Sequence, residues 1–120
     1  MRQITSHKVN GLNEILQITA VDGPGPGNAS HVYDITPTTG NAKGVRIEFQ
    51  NGPLGENPPN GLSNEALLAI VEDRLQGFQG GQYACRENAI ALTKLQEAMH
   101  WLHHRTRERV ARGVEGTMAK

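Results

Sequence analysis

Hydrophobic and polar residues alternate in the first half of the chain, as they do in half-buried β-strands. The clearest case is Val45–Phe49, where apolar and charged residues follow one another strictly. Leu12–Val21 and Ser30–Thr36 carry further apolar residues, and turns rich in glycine and proline separate the three segments. We therefore expect a small antiparallel sheet of about three strands over about residues 12–50.

Apolar residues in the second half recur at steps of three and four, which is the period of a helix. A first helix is predicted to begin at the N-cap Ser63 and to run to about residue 76. Gly80-Gly81 interrupts the pattern, and a longer helix is predicted from about Gln82 to Arg112. The two apolar stripes consist of Leu67, Val71, Leu75 and Phe78, and of Leu92, Leu95, Met99 and Leu102.

The predicted fold class is α+β, in one domain spanning residues 1–120. A small N-terminal antiparallel β-sheet (about 12–50) is expected to pack on a long C-terminal αα-hairpin (about 63–112). Only 37% of the residues are hydrophobic and 4% are aromatic, so the core is expected to be lean. A three-stranded sheet is marginal alone, so we expect it to pack on a helix or on another subunit, in an oligomer.

Composition excludes several classes of protein. Twelve basic residues balance twelve acidic ones, which argues against a strongly basic nucleic-acid coat. The single cysteine, Cys85, excludes an internal disulfide and a cysteine-rich metal site. No apolar run reaches the length of a membrane span, and no signal-peptide core follows Met1. The chain is expected to be soluble, reduced and intracellular.

Positive charge collects near the end of the long helix. Residues 103–120 hold five basic and two acidic side chains, a balance of +3. Arg105, Arg109 and Arg112 share one side of the helix, while Arg107 points elsewhere. They could hold phosphates through bidentate hydrogen bonds, or they could form a solvated helix end that complements the helix dipole. Because a helix-end arginine is not a core residue, Arg109→Ala is expected to leave the fold intact.

Polar and aromatic residues near the predicted turn also carry two interpretations. Asn88 lies on the apolar stripe, where its amide could bind a base edge or could tie the two helices together. Phe78 and Tyr83 flank the glycine turn, where each could stack on a base or could pack against the turn end of the hairpin. Both alternatives remain open from the residues alone.

The remaining candidate motifs give weak signals. Residues 23–28 (GPGPGN) resemble a phosphate loop only superficially, because the two prolines remove main-chain donors. This segment is expected to be a rigid loop that presents Asn28 and His31. His100 and His104 have the spacing of a metal pair, but the H-E-x-x-H pattern is absent. Chemistry alone therefore favours a binding protein over a catalyst.

Composite motifs give the chain a family resemblance. They are a DRL…FQ turn, a REN helix start, a W-L…R-T…R…RGVEGT end, an N-terminal GNASHVYDI and an IEFQNGPLGENPPNG connector. Together, over roughly residues 15–118, they resemble the phage-encoded Thoeris anti-defence proteins of the first type. The helical hairpin of that family is shared with the anti-CBASS cyclic-nucleotide sponges.

The resemblance implies a non-enzymatic sponge that works in the cytoplasm of the infected bacterial host. Such proteins sequester cyclic ADP-ribose isomers without cleaving them, so the host Thoeris NADase effector stays silent. Many members self-associate, up to hexamers, and also bind cyclic di- and trinucleotides at separate sites. The resemblance implies no cofactor, no metal ion, no membrane and no nucleic-acid polymer as partner.

The resemblance also implies which residues contact the ligand. Phe78 and Asn88 have the ten-residue spacing of the nucleoside contacts, and Arg105 and Arg109 fit the R-T-x-x-x-R pattern that holds phosphates. Asn28, His31 and Tyr33 match the N-terminal motif. The full expected set is Asn28, His31, Tyr33, Phe78, Asn88, Arg105, Arg109 and Arg112.

Two other classes of function stay open at this point. A small regulatory protein could bind a nucleic-acid backbone through the Arg105–Arg112 face, which predicts a steep dependence of affinity on salt. A phosphodiesterase could cleave the cyclic signal, with His31, His100 or His104 as the only candidate general bases.

Overall fold

Four short strands form one antiparallel sheet: β1 (Arg2–Ile4), β2 (Leu16–Ala20), β3 (Val32–Pro37) and β4 (Val45–Glu48). The strands pair in sequence order, each with the next along the chain. The computed structural model describes residues 1–120 and divides them into two compact units. One comprises Met1–Gly52 and Pro59–Leu62, and the other comprises Pro53–Pro58 and Ser63–Lys120.

The structure changes two details of the predicted sheet. A fourth strand, β1, was not predicted, because its three residues (RQI) carry no alternation to detect. The first half of the predicted strand Leu12–Val21 is instead a single helical turn, α1 (Gly11–Ile15). The Asn10 side chain begins this turn by accepting the Asn13 main-chain N–H at 2.9 Å, which is a local signal for a helix start.

The alternation in the strands separates an apolar face of the sheet from a polar one. Ile18, Ile35 and Val45 form one cross-strand row, and Ala20 is the only hydrophobic residue of the chain that is fully buried. On the other face, Arg46 donates two hydrogen bonds to Asp34, at 2.7 and 2.9 Å. These bonds lower the pKa of Asp34.

The second unit contains the helical hairpin, α2 (Asn64–Gln79) and α3 (Arg86–Ala111). Ser63 caps α2 as predicted, since its hydroxyl accepts the Ala66 N–H at 3.1 Å. The Cys85 thiol caps α3 by accepting the Asn88 N–H at 3.4 Å. The predicted α+β class, with an N-terminal antiparallel sheet and a C-terminal αα-hairpin, is confirmed.

The hairpin buries its apolar stripes only partly. Leu92, Leu95, Met99 and Leu102 are half-buried, and no apolar side chain of α2 or α3 is fully buried. On the outer surfaces, Ile70 is 59% exposed and Trp101 is 65% exposed. Two helices therefore do not exclude water from the hydrophobic surface that this sequence encodes. Neither helix combines the length and the apolar character needed to cross a membrane.

Candidate ligand-binding site

The turn end of the hairpin carries an aromatic ring and an amide that are both available to a ligand. Phe78 lies in the last turn of α2 and is 39% exposed. Asn88 lies in the first turn of α3, where its main-chain N–H donates a hydrogen bond to the Cys85 thiol. The Asn88 side-chain amide makes no hydrogen bond within the chain, so it does not tie the two helices together.

A positively charged side chain that the sequence analysis missed, that of Arg74, lies beside the Phe78 ring. The Arg74 guanidinium lies 5.5 Å from the centre of the Phe78 ring, which is a cation–π arrangement. Residues four apart on a helix are neighbours, so the spacing of these two side chains was a usable signal. Arg74 forms no ion pair with a carboxylate, and its charge is therefore available beside the ring.

The arginines at the other end of α3 differ from one another. Arg105 and Arg107 are exposed and make neither an ion pair nor a hydrogen bond through their side chains. Arg112 lies 3.7 Å from Glu108 and donates to the main-chain carbonyl of Lys120. Of the arginines predicted to bind phosphate, Arg105 is the one whose guanidinium is unoccupied.

Arg109 is buried, with an exposed fraction of only 5%. The expectation that this side chain is not a core residue is therefore wrong. Its guanidinium donates to the main-chain carbonyls of Val114, Thr117 and Ala119, and its Nε lies 3.6 Å from a Glu115 carboxylate oxygen. Arg109 follows Leu102 by seven residues and so continues the apolar stripe, which was the signal for burial.

The predicted contact residues lie at opposite ends of one continuous helix. Arg105 lies seventeen positions after Asn88, which at 1.5 Å per residue corresponds to about 26 Å. Arg109 is a further turn away, at about 32 Å from Asn88. A single small ligand cannot span this distance, so one chain does not bring the predicted nucleoside and phosphate contacts together.

The N-terminal candidates lie in and beside the loop before β3. Asn28 is exposed and has a left-handed backbone (φ +67°). His31 is 8% exposed, and its ring lies against Gly25, where an added Cβ would come within 3.3 Å of the ring. The His31 ring is therefore buried beneath the loop, and the loop does not present it. Tyr33 packs edge-on against Phe49, with the ring centres 5.7 Å apart.

Asp22 explains why this loop is held in one conformation. Its carboxylate accepts the main-chain N–H groups of His31 and Val32, at distances of 2.9–3.0 Å. These bonds lower the pKa of Asp22, because they stabilise its charged form. His31 Nδ1 lies 3.9 Å from the same carboxylate and has no hydrogen-bond partner. Further hydrogen bonds of side chains and main chain close the loop from within.

An open groove of about 340 Å³ runs along α3 near its start. Arg86, Ala89, Ile90, Thr93 and Lys94 line it. Two cations, a hydroxyl and an exposed aliphatic side chain thus face one space, and the Lys94 ammonium lies 3.5 Å from a Glu97 carboxylate oxygen. This is a mixture that suits an anionic ligand with an apolar part. Further along the same helix, the His100 and His104 rings stack with their centres 6.5 Å apart.

Comparison with known proteins identifies the family to which the chain belongs. A model of the Acb2/Tad1 hairpin domain matches residues 41–107, which is more than half of the chain. The chain belongs to this family. The match includes all of α2 and most of α3, and it contains Phe78, Asn88 and Arg105.

A relative is similar over part of the chain. It is the protein named Thoeris anti-defense 1 of Bacillus phage SBSphiJ7, which is 55% identical over 74 residues. The aligned part is 62% of this chain and 52% of the relative, so the chain spans about half the length of the curated relative that it matches.

Proposed function

We propose that this Acb2/Tad1-family chain is an anti-Thoeris sponge that binds a cyclic ADP-ribose signal and holds it without cleaving it. The observation that carries the proposal is the family match over the segment that holds Phe78, Asn88 and Arg105. The name of the phage relative supports the choice of the Thoeris system as the target. The unoccupied Asn88 amide and Arg105 guanidinium support a binding role.

The proposed contacts follow from the chemistry of the ligand, which carries an adenine, two sugars and two phosphates. The adenine stacks on Phe78, a contact worth about 1–3 kcal/mol per base. The Asn88 amide can both donate to and accept from a nucleoside. Arg105, Arg109 and Arg112 hold the phosphates through charge-assisted hydrogen bonds, and Asn28, His31 and Tyr33 complete the proposed set. No group in this set is assigned as a nucleophile or a general base, and the proposal includes no metal ion or cofactor.

The site is proposed to form between copies of the chain, as a dimer or a hexamer. About 26 Å of helix separate Asn88 from Arg105 within one chain. When two hairpins lie antiparallel, the turn end of one copy comes beside the arginine end of the other. Such pairing would also cover half-buried stripe residues and exposed side chains such as Trp101. Self-association would thus bring the separated contact residues together in one site, and it would bury apolar side chains that a single chain leaves exposed.

A second ligand class is proposed for the groove along α3. Cyclic di- and trinucleotides carry two or three phosphates, and Arg86 and Lys94 supply two cations to one groove. The groove lies on the side of α3 opposite to Asn88, because 100° per residue places Asn88 about 200° from Arg86, so the two ligand classes are not expected to compete. Arg86→Ala, with Arg107→Ala as the control, would weaken binding of cyclic trinucleotides and leave that of cyclic ADP-ribose unchanged.

The experiment that tests the proposal is a calorimetric titration of the purified chain with cyclic ADP-ribose isomers. The complex is then heated, and the released ligand is analysed by chromatography. Tight binding with intact ligand is the expected result. A linearised product would make the chain a phosphodiesterase. Failure to bind any isomer, together with salt-sensitive binding to generic duplex DNA, would favour a nucleic-acid-binding protein.

A further inference from the structure

The segment after α3 folds back onto the end of the helix. Gly113 has a left-handed backbone (φ +73°), which reverses the chain direction directly after the helix. The Val114 N–H then donates to the Arg109 carbonyl at 3.0 Å, and the Thr117 N–H donates to the Val114 carbonyl at 3.1 Å. Residues 113–120, called the tail below, are thus held against α3 by main-chain hydrogen bonds.

The tail supplies the Arg109 guanidinium with three hydrogen-bond acceptors and one nearby carboxylate. Nη2 donates to the carbonyls of Val114 at 2.9 Å and Thr117 at 3.1 Å, and Nη1 donates to the carbonyl of Ala119. The Glu115 carboxylate lies 3.6 Å from Nε. Several oxygens around one planar guanidinium are also what a phosphate group provides.

A second contact fastens the tail to a distant part of the sequence. The Gly55 N–H donates to the Gly116 carbonyl at 2.8 Å, and a Cβ at Gly55 would lie only 2.5 Å from that oxygen. Gly116 itself has a φ of +80°. The Gly55 amide hydrogen therefore reports whether the tail is docked, although Gly116 lies 61 positions further along the chain.

We propose that the tail is a built-in competitor for the oxyanion site at Arg109. The inference rests on the proposed function, in which Arg109 holds a phosphate. While residues 114–119 are docked, their oxygens occupy the positions that phosphate oxygens would take, and Arg109 is only 5% exposed. A phosphate reaches this guanidinium only after the tail has left.

The exchange of tail for ligand is favourable because the two sets of partners differ in charge. Most of the tail contacts are neutral carbonyls, whereas phosphate oxygens are charged. The Arg109 hydrogen bonds are charge-assisted in both states, but a phosphate adds the attraction of a full ion pair, which is strong where water is excluded. The docked tail lowers the apparent affinity in proportion to its occupancy. A tail that is docked nine-tenths of the time reduces affinity about tenfold.

Gly116→Ala tests the competition in the full chain. A Cβ at this position strains the left-handed backbone and comes within 3.2 Å of the Gly55 nitrogen, so it weakens docking. Gly40→Ala is the matched control, because Gly40 has nearly the same φ (+82°) and lies in open space in the sheet unit. We expect Gly116→Ala to raise the affinity for cyclic ADP-ribose several-fold and Gly40→Ala to leave it unchanged. Unchanged or weaker binding by Gly116→Ala would contradict the inference.

Hydrogen exchange of the unmodified chain gives a second readout that does not depend on the variant folding. Saturating cyclic ADP-ribose should speed exchange of the Gly55 amide, because the tail is displaced. Binding that leaves exchange at Gly55 unchanged overturns the inference while the sponge function stands. If no isomer binds, the sponge proposal fails, and inorganic pyrophosphate serves as the probe. Faster Gly55 exchange with pyrophosphate then supports the inference, and unchanged exchange overturns it.

Discussion

The two ends of the hairpin use polar side chains in opposite ways. At the turn end, the Asn88 amide is free and the Phe78 ring is open on a helix surface. At the far end, Arg109 is buried and bound by carbonyls of its own chain. Arg105, only one turn away, has no partner. The difference shows that residue type and helix face do not decide whether an arginine is available to a ligand. The segment after the helix can bind one guanidinium and leave that of a neighbouring arginine free.

The largest effect is expected from Arg105→Ala. An unpaired guanidinium that meets a phosphate should contribute about 1.5–3 kcal/mol, so its loss should weaken ligand binding about 10- to 100-fold. Stability should not change, because the side chain makes no contact that holds the fold. Arg107→Ala is the matched control, since Arg107 is equally exposed and unpaired but points elsewhere. Equal losses in the two variants would mean that only general charge matters.

Arg109→Ala should lower the free energy of unfolding, which corrects the expectation from sequence that the fold stays intact. Removal of the guanidinium leaves the carbonyls of Thr117 and Ala119 without their donor and takes one of several donors from the Val114 carbonyl. Loss of hydrogen bonds made by a buried charged group costs about 1.5–3 kcal/mol. Chemical denaturation beside Arg107→Ala measures the difference, and equal midpoints for the two variants would refute the structural role. Binding should weaken as well, because a phosphate contact is lost.

Asn88→Ala should weaken binding about fivefold and leave stability unchanged. The amide makes no hydrogen bond within the chain, so only the ligand loses a partner, at a cost of about 1 kcal/mol. Calorimetry and thermal unfolding on the same sample separate the two effects. A lower melting temperature with unchanged affinity would instead assign Asn88 to packing between copies.

The smallest effect is expected from Arg74→Ala. The cation–π contact with Phe78 is exposed, and such contacts contribute about 0.5–1 kcal/mol. The same guanidinium would lie beside a base stacked on Phe78, and loss of a cation contact of this size to the base should weaken ligand binding two- to fivefold. Arg74→Lys keeps the charge and should recover part of the affinity. Unchanged affinity in both variants would show that the Arg74 cation does not contribute to stacking of the base on Phe78.

The helical hairpin was predictable because its signals are local. The apolar period, the Ser63 cap and the glycine turn lie within a few residues of the boundaries that they predict. β1 was missed because three residues are too few to show a period, and its position depends on pairing with Ile18 and Thr19 far along the chain. α1 was missed because its Ile15 also fits a strand pattern, and the decisive cap at Asn10 lies outside that pattern.

The candidate site was less predictable than the fold. The residue types and their spacing are visible in the sequence, but the partners of Arg109 come from a tail whose path has no periodic signal. The separation of Asn88 and Arg105 follows from the unbroken α3, and the sequence analysis predicted that long helix. The arrangement of several copies is not visible in a single chain, so the composite site has to be tested directly.

Complementation between two inactive variants tests the composite site most directly. Phe78→Ala and Arg105→Ala copies are coexpressed with different tags, and the mixed assembly is purified and titrated with cyclic ADP-ribose. If each site takes its ring from one copy and its arginine from another, a mixed dimer regains one full-affinity site of two. A mixed dimer of wild-type chain and the double variant should then have none. No recovery in the first assembly and one intact site in the second would contradict a site formed between copies.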